Sequence, residues 1–153
     1  MKKFIPKLLL LSGLAMVIAS CSKKDSASPS GAIVGKWSIA SDTVRLYDNT
    51  NTTLVATEAN DQIQPSDYVQ FNSNGTGNTV EFGMNIGFTY KVNGTVLNIV
   101  TKGGTYGGVQ IDGDSEDVTI RHIDSHTLYT YQVSADTVNT TIYISKESIH
   151  FTK

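Results

Sequence analysis

Val80-Glu81-Phe82-Gly83-Met84-Asn85-Ile86-Gly87-Phe88-Thr89-Tyr90-Lys91-Val92 places an apolar side chain at every second position. A period of two sends alternate side chains to opposite faces of a strand and fits no helix. A single strand through all of it would far exceed the usual ~5–6 residues. We read Gly83–Gly87 as the tip of a hairpin, with a sharp barrel corner as the alternative. Asn93-Gly94 follows, a pair suited to the two positive-φ positions of a type I′ turn. It is expected to join Phe88–Val92 to Val96–Val100.

The same grammar continues on both sides. Upstream, Tyr68-Val69-Gln70-Phe71 reads as a strand closed by Asn72-Ser73-Asn74-Gly75, and Thr52–Thr57 as another. Gly35–Ser41 alternates with Trp37 and Ile39 on one face, and Val44–Tyr47 continues it after a bulge. Downstream, Lys102–Gly108 reads as a glycine-rich loop and Asp112–Asp117 as an acidic one. Val118–Ile123, a turn at Asp124-Ser125-His126, Leu128–Val133, Thr140–Ser145 and Ile149–Phe151 complete the chain. Eight to ten short strands with tight connections and no helical period predict an all-β domain, a small antiparallel β-barrel or, alternatively, a β-sandwich.

The beginning of the chain is different. Met1–Lys7 carries three lysines and no acid, Leu8–Ile18 is almost wholly apolar, and Ala19 and Ser20 are small. This is the charged, apolar and small-residue order of a secretory leader. Its apolar run spans only ~16 Å as a helix, against ~30 Å of bilayer hydrocarbon. Ile18-Ala19-Ser20-Cys21 resembles a bacterial lipobox. The resemblance implies cleavage before Cys21 and acyl chains on that cysteine, palmitate among them, with the membrane as partner. Several acyl chains hold firmly where one holds marginally. Residues 1–20 are then a lipoprotein signal peptide, 21–32 a flexible Ser- and Lys-rich tether, and 33–153 the folded domain. Ser22 after the cysteine is not the Asp that resembles an inner-membrane retention signal, so the cell outer membrane is the expected location. Cys21 is also the sole cysteine, so the domain has no internal disulfide. Without the leader, 9 Lys and Arg face 14 Asp and Glu, a net charge of −5 with no basic run. That argues against nucleic acid.

A second resemblance rests on Ile33-Val34-Gly35-Lys36-Trp37, Val69–Thr76, Tyr90–Ile99 and the closing His150-Phe151-Thr152-Lys153. In that order they resemble the lipocalin-like domains of Bacteroidetes-type lipoproteins. The resemblance implies an up-and-down barrel with Trp37 near its closed end, and says little about a ligand.

Trp37, Phe71, Phe82, Phe88 and Tyr90, with Leu97 and Ile99, are the candidate interior residues and hence the candidate ligand-binding set. Eight strands enclose an interior that is either packed or able to hold one small ligand. The bulk of these side chains in so short a chain weighs toward packing, and both readings stay open. The other candidates are weaker. His122, Asp124, Ser125 and His126 contain the ingredients of a nucleophile, base and acid, but around one turn they are expected to point apart. His122 shares parity with Val118 and Ile120 and is expected to face inward. Asp112, Asp114, Glu116 and Asp117 offer calcium-like spacing, but Asp117 and Ile123 occupy the positions that need glycine and an acid. Gly103–Gly108 lacks the Gly-Lys-Ser/Thr of a phosphate loop. Asp25, Asp42 and Asp136 each open a three-residue match to an O-glycosylation sequence. No catalytic residue, metal site or cofactor is expected. The sequence predicts a non-enzymatic protein that binds a small apolar or amphipathic ligand in its barrel, or one that recognises a glycan or protein with its outer face.

Overall fold

The computed structural model describes residues 28–106, 108–138 and 140–153. The leader, Cys21 and most of the tether lie outside the described residues. Where the tether was expected to end, Pro29–Ala32 forms one helical turn, α1, and Ile33 behind it is fully buried. Eleven strands follow among the described residues: β1 Gly35–Tyr47, β2 Leu54–Ala59, β3 Tyr68–Phe71, β4 Thr76–Glu81, β5 Met84–Asn93, β6 Val96–Thr101, β7 Gly104–Tyr106, β8 Val109–Ile111, β9 Asp114–Ile123, β10 Thr127–Val138 and β11 Thr141–Thr152.

Eight of these close an antiparallel barrel in the order β1-β3-β4-β5-β6-β9-β10-β11, with β11 pairing back onto β1. Apart from β2 and the β7–β8 hairpin, spatial neighbours are sequence neighbours, as in an up-and-down barrel. This is the expected all-β barrel, and closure excludes the sandwich. Closure runs from Ser38 opposite Thr152 to Tyr47 opposite Ile144. The first half of β1 pairs with β3 and the second with β2, so β2 leaves one edge unpaired. A bulge between Ile39 and Ser41 re-phases the strand. Trp37 and Ile39 face inward before it; Asp42 and Val44, opposite Ile149 and Glu147, do so after it.

The hairpin reading of Val80–Val92 is right in kind and wrong in position. The tip is Phe82-Gly83, with φ of 51° and 77°, the two positive values of a type I′ turn. Met84–Gly87 is strand, not tip. Phe82 is therefore not an interior residue: it is half exposed at the end of the hairpin. The next turn also moves by one residue. Asn93 pairs with Val96, leaving Gly94-Thr95 as the loop with Gly94 at φ 62°, the type II′ position for glycine. A bulky residue held at positive φ costs about 1 kcal/mol. Phe82→Asn, which tolerates that region, is expected to stabilise the barrel by about 1 kcal/mol. The check is an upward shift of the urea midpoint at unchanged slope; a downward shift would contradict it.

Other corrections concern the loops. Lys102–Gly108 is not a plain connection, since Gly104–Tyr106 pairs with Val109–Ile111 as a hairpin outside the barrel. The acidic stretch from Asp114 onward is the first half of β9, paired with β6 from Thr101 to Val96. Thr141–Thr152 is one strand rather than two.

The core sits at one end. Ile33, Trp37, Phe71, Phe88, Tyr90, Leu97, Leu128 and Phe151 are buried there. Phe71 meets Phe88 and Tyr90 edge to face at 5.5 and 5.0 Å. Gly77 makes room for that arrangement: a Cβ there would overlap the Phe88 ring and the Gln70 carbonyl. The Trp37 indole N–H donates to the Ile33 carbonyl at 2.7 Å. Lys153 Nζ lies 4.0 Å from the same ring and donates to the Val34 carbonyl at 3.0 Å. First and last described segments thus seal this end together.

Candidate functional site

Along each barrel strand the inward-facing residues change character from one end to the other. On β11 they run Phe151, Ile149, Glu147; on β10, Leu128, Thr130, Gln132; on β6, Leu97, Ile99, Thr101. On β4 they run Gly77, Thr79, Glu81, and on β9 Val118 is followed by Glu116 toward the same end. Apolar residues pack into the sealed end, and polar ones line the walls above them. Between the two lies a cavity of about 310 Å³, open at the polar end.

Of the candidate interior residues, Phe71 and Phe88 form part of its floor, with Leu97 and Ile99. Trp37 and Tyr90 do not reach it. Trp37 is fully buried beneath, and the Tyr90 hydroxyl donates to the Asn72 carbonyl at 2.7 Å. Both are structural parts of the sealed end. Phe82 lies outside. The packed and hollow readings are therefore both realised: the lower half of the interior is filled and the upper half is not.

The residues that period-two reading missed are acids. Glu81 and Glu147 are half-buried in the cavity wall, and Glu116 sits at its exposed rim. Burial is the main force pushing the Glu147 carboxyl up to about 7, and the negative fields of Asp42, Glu116 and Glu81 push the same way. Burial likewise raises Glu81, with Asp67 and Asp42 adding repulsion, and it raises Asp42 despite hydrogen bonds. Asp67 precedes Val69 and Phe71 on the inward parity of β3 and is only 2% exposed. Its Oδ2 accepts the Gln64 N–H at 2.8 Å, while its Oδ1 is buried with no hydrogen-bond partner.

The turn containing His122–His126 assembles two pairs rather than a triad. His122 Nε2 contacts Asp124 Oδ2 at 3.0 Å, and Ser125 Oγ contacts His126 Nδ1 at 2.7 Å. The acid thus holds one histidine and the hydroxyl the other, so neither imidazole links nucleophile to acid. Asp124 also accepts the His126 and Thr127 N–H groups, and these bonds hold its carboxyl well below the usual range. His122 faces outward, contrary to parity. Its register with Tyr129, followed by Ile120 with Thr130, leaves Arg121 as an extra residue, and Ile123 takes the inward place. On this outer face His122 meets Tyr129 edge-on, and Tyr129 stacks on His150 at 4.2 Å.

On β9, strand geometry sets Asp117 on the face opposite Asp114 and Glu116. Asp117 accepts from Asn98 at 2.9 Å, Asp114 accepts the Ser115 N–H, and Glu116 faces the cavity. Among the described residues, no group of three or more His, Cys, Asp or Glu could hold a metal ion. Compared with protein-family models, curated proteins and solved structures, the chain has no match.

Proposed function

We propose that this protein carries one small amphipathic molecule inside its barrel, at the end of a tether anchored through lipidated Cys21 in the outer membrane. The cavity carries this reading. Its volume of about 310 Å³ is at the lower bound for ligand pockets, ~300–1,000 Å³. An apolar floor with polar walls is the lining that orients an amphipathic guest. The likeness of Ile18-Ala19-Ser20-Cys21 to a lipobox supports the anchor, and the closed barrel is consistent with the resemblance to lipocalin-like lipoproteins. The split histidine pairs favour action by binding over hydrolysis.

A single preparation tests both parts. Wild-type protein is expected in the membrane fraction, and Cys21→Ala in the soluble one. Native mass spectrometry of the soluble variant is expected to reveal a reproducible small-molecule adduct that is lost on unfolding. Unchanged membrane retention would contradict the anchor, and bare protein from several preparations would contradict the carrier.

A second reading has its own observation. Tyr129 is 42% exposed and stacked flat on His150, an arrangement able to receive a sugar face. Glycan recognition by this outer face predicts binding to immobilised polysaccharide that Tyr129→Ala abolishes.

A further inference from the structure

The cavity has an apolar floor, an acidic wall and no counter-charge. Glu81 reaches it from β4, Glu116 from β9 and Glu147 from β11, and its described lining contains no Lys, Arg or His. Three cations on the barrel strands lie over aromatic rings: Lys146 over Tyr47, Arg121 over Tyr131 and Lys36 over Tyr68. Buried acids are ordinarily paired, because an uncompensated charge out of water is costly. Behind this wall, Asp67 is almost wholly buried on the inward parity, its Oδ1 without a hydrogen-bond partner, and its charge bears on Glu81. The acids come from separate strands and do not converge into a set able to hold a metal ion. Such a wall suits an organic ammonium group, whose N–H donors can each meet a separate carboxylate and need no fixed coordination shell.

We propose that the molecule held in the barrel is an organic cation with an apolar tail, a primary amine or ammonium amphiphile. The tail lies against Phe71, Phe88, Leu97 and Phe151, and the ammonium group lies among Glu81, Glu116 and Glu147. This rests on the cavity being a ligand site, and it adds the sign of the ligand's charge. It also couples binding to protons. The Glu147 carboxyl faces Asp42 from β1, Glu81 from β4, Glu116 from β9 and Gln132 from β10. Acid among acids, it holds its proton up to near-neutral pH, and a cation bound beside it favours the proton's release. Binding therefore releases protons near neutral pH and weakens as the solution becomes acidic.

The test is calorimetric titration of the full chain with three probes sharing one tail: octylamine, octanol and octanoate. At about pH 8, octylamine is expected to bind at least ~10-fold more tightly than octanol, with octanoate the weakest. Glu147→Gln and the double variant Glu81→Gln/Glu147→Gln are expected to weaken octylamine by about 10-fold or more and to leave octanol within about two-fold. At about pH 5.5, where the amine is still fully charged, wild-type affinity is expected to fall toward that of the variants. Octanol or octanoate binding as tightly as octylamine would overturn the cation while leaving the cavity reading intact. So would octylamine affinity unchanged in both variants. Failure of all three probes to bind would overturn the cavity reading as well.

Discussion

Trp37→Ala is expected to cost the barrel about 3–5 kcal/mol, the range for deleting a large buried aromatic side chain. Few domains have more than 5–15 kcal/mol to lose. The indole is fully buried, its N–H holds the Ile33 carbonyl at 2.7 Å, and Lys153 covers its face. Removing it opens a void and leaves a buried carbonyl unpaired, and it loosens the α1 turn against the end of β11. Trp37→Phe separates these effects. It keeps an aromatic ring but loses the hydrogen bond and part of the volume, so an intermediate loss is expected. Urea unfolding monitored by far-ultraviolet circular dichroism measures both, since the only tryptophan is removed. A cost for Trp37→Ala under about 1 kcal/mol, the level of a surface change, would contradict the sealed end.

The second large effect concerns pH. Glu147 titrates near 7 in the folded protein and near 4.5 when unfolded, with burial the first cause. A raised acid contributes stability fully below its unfolded value and loses it as pH rises through the folded one. Between about pH 4.5 and 7 the ligand-free barrel is therefore expected to weaken, and above 7 it carries the cost of a half-buried charge. Solvent at the open mouth screens that charge, so the span is about 1–2 kcal/mol rather than the roughly 3 kcal/mol that ~1.4 kcal/mol per pH unit would give over that interval. Glu81 and Asp42 are raised and act in the same sense. Asp48 and Asp124 act in the opposite sense at lower pH. Their carboxylates accept backbone N–H bonds in turns, so protonating them weakens those turns. Glu147→Gln is expected to flatten most of the neutral slope and to stabilise the barrel at pH 8. Parallel stability curves for variant and wild type between pH 5 and 8 would contradict this.

Period-two alternation was enough to mark the strands that carry Phe71, Phe88, Leu97 and Ile99, and these residues do line the interior. It failed wherever one residue changes the phase. Phe82 has the parity of Met84 and Phe88, but it is itself the first residue of the two-residue turn, and turn geometry removes it from both faces. His122 has the parity of Val118 and Ile120, but the extra residue Arg121 reverses it. A bulge has no strong local signature in either stretch. Barrel closure was also invisible, because β1 and β11 meet across the whole domain. The acids were missed for a different reason. Glu116 precedes Val118 by two, Glu147 precedes Ile149 by two, and Glu81 follows Thr79 by two. For Glu116 and Glu147 the parity was legible, but a charged residue at the end of an apolar face reads as the end of a strand. For Glu81 it was reversed, because the alternation put Val80 on the apolar face while β4 turns Thr79 and Glu81 inward. Only the closed barrel shows these ends gathered on one side, where they make a wall.

Methyl NMR during titration with octylamine locates the bound molecule most directly. Val69, Leu97, Val118 and Leu128 line the cavity, while Leu54, Val55 and Ile142 are exposed and outside its lining. A guest in the barrel is expected to shift the first set in saturable fashion and to leave the second where it was. Shifts confined to Leu54, Val55 and Ile142, with the interior methyls unmoved, would contradict an occupied cavity.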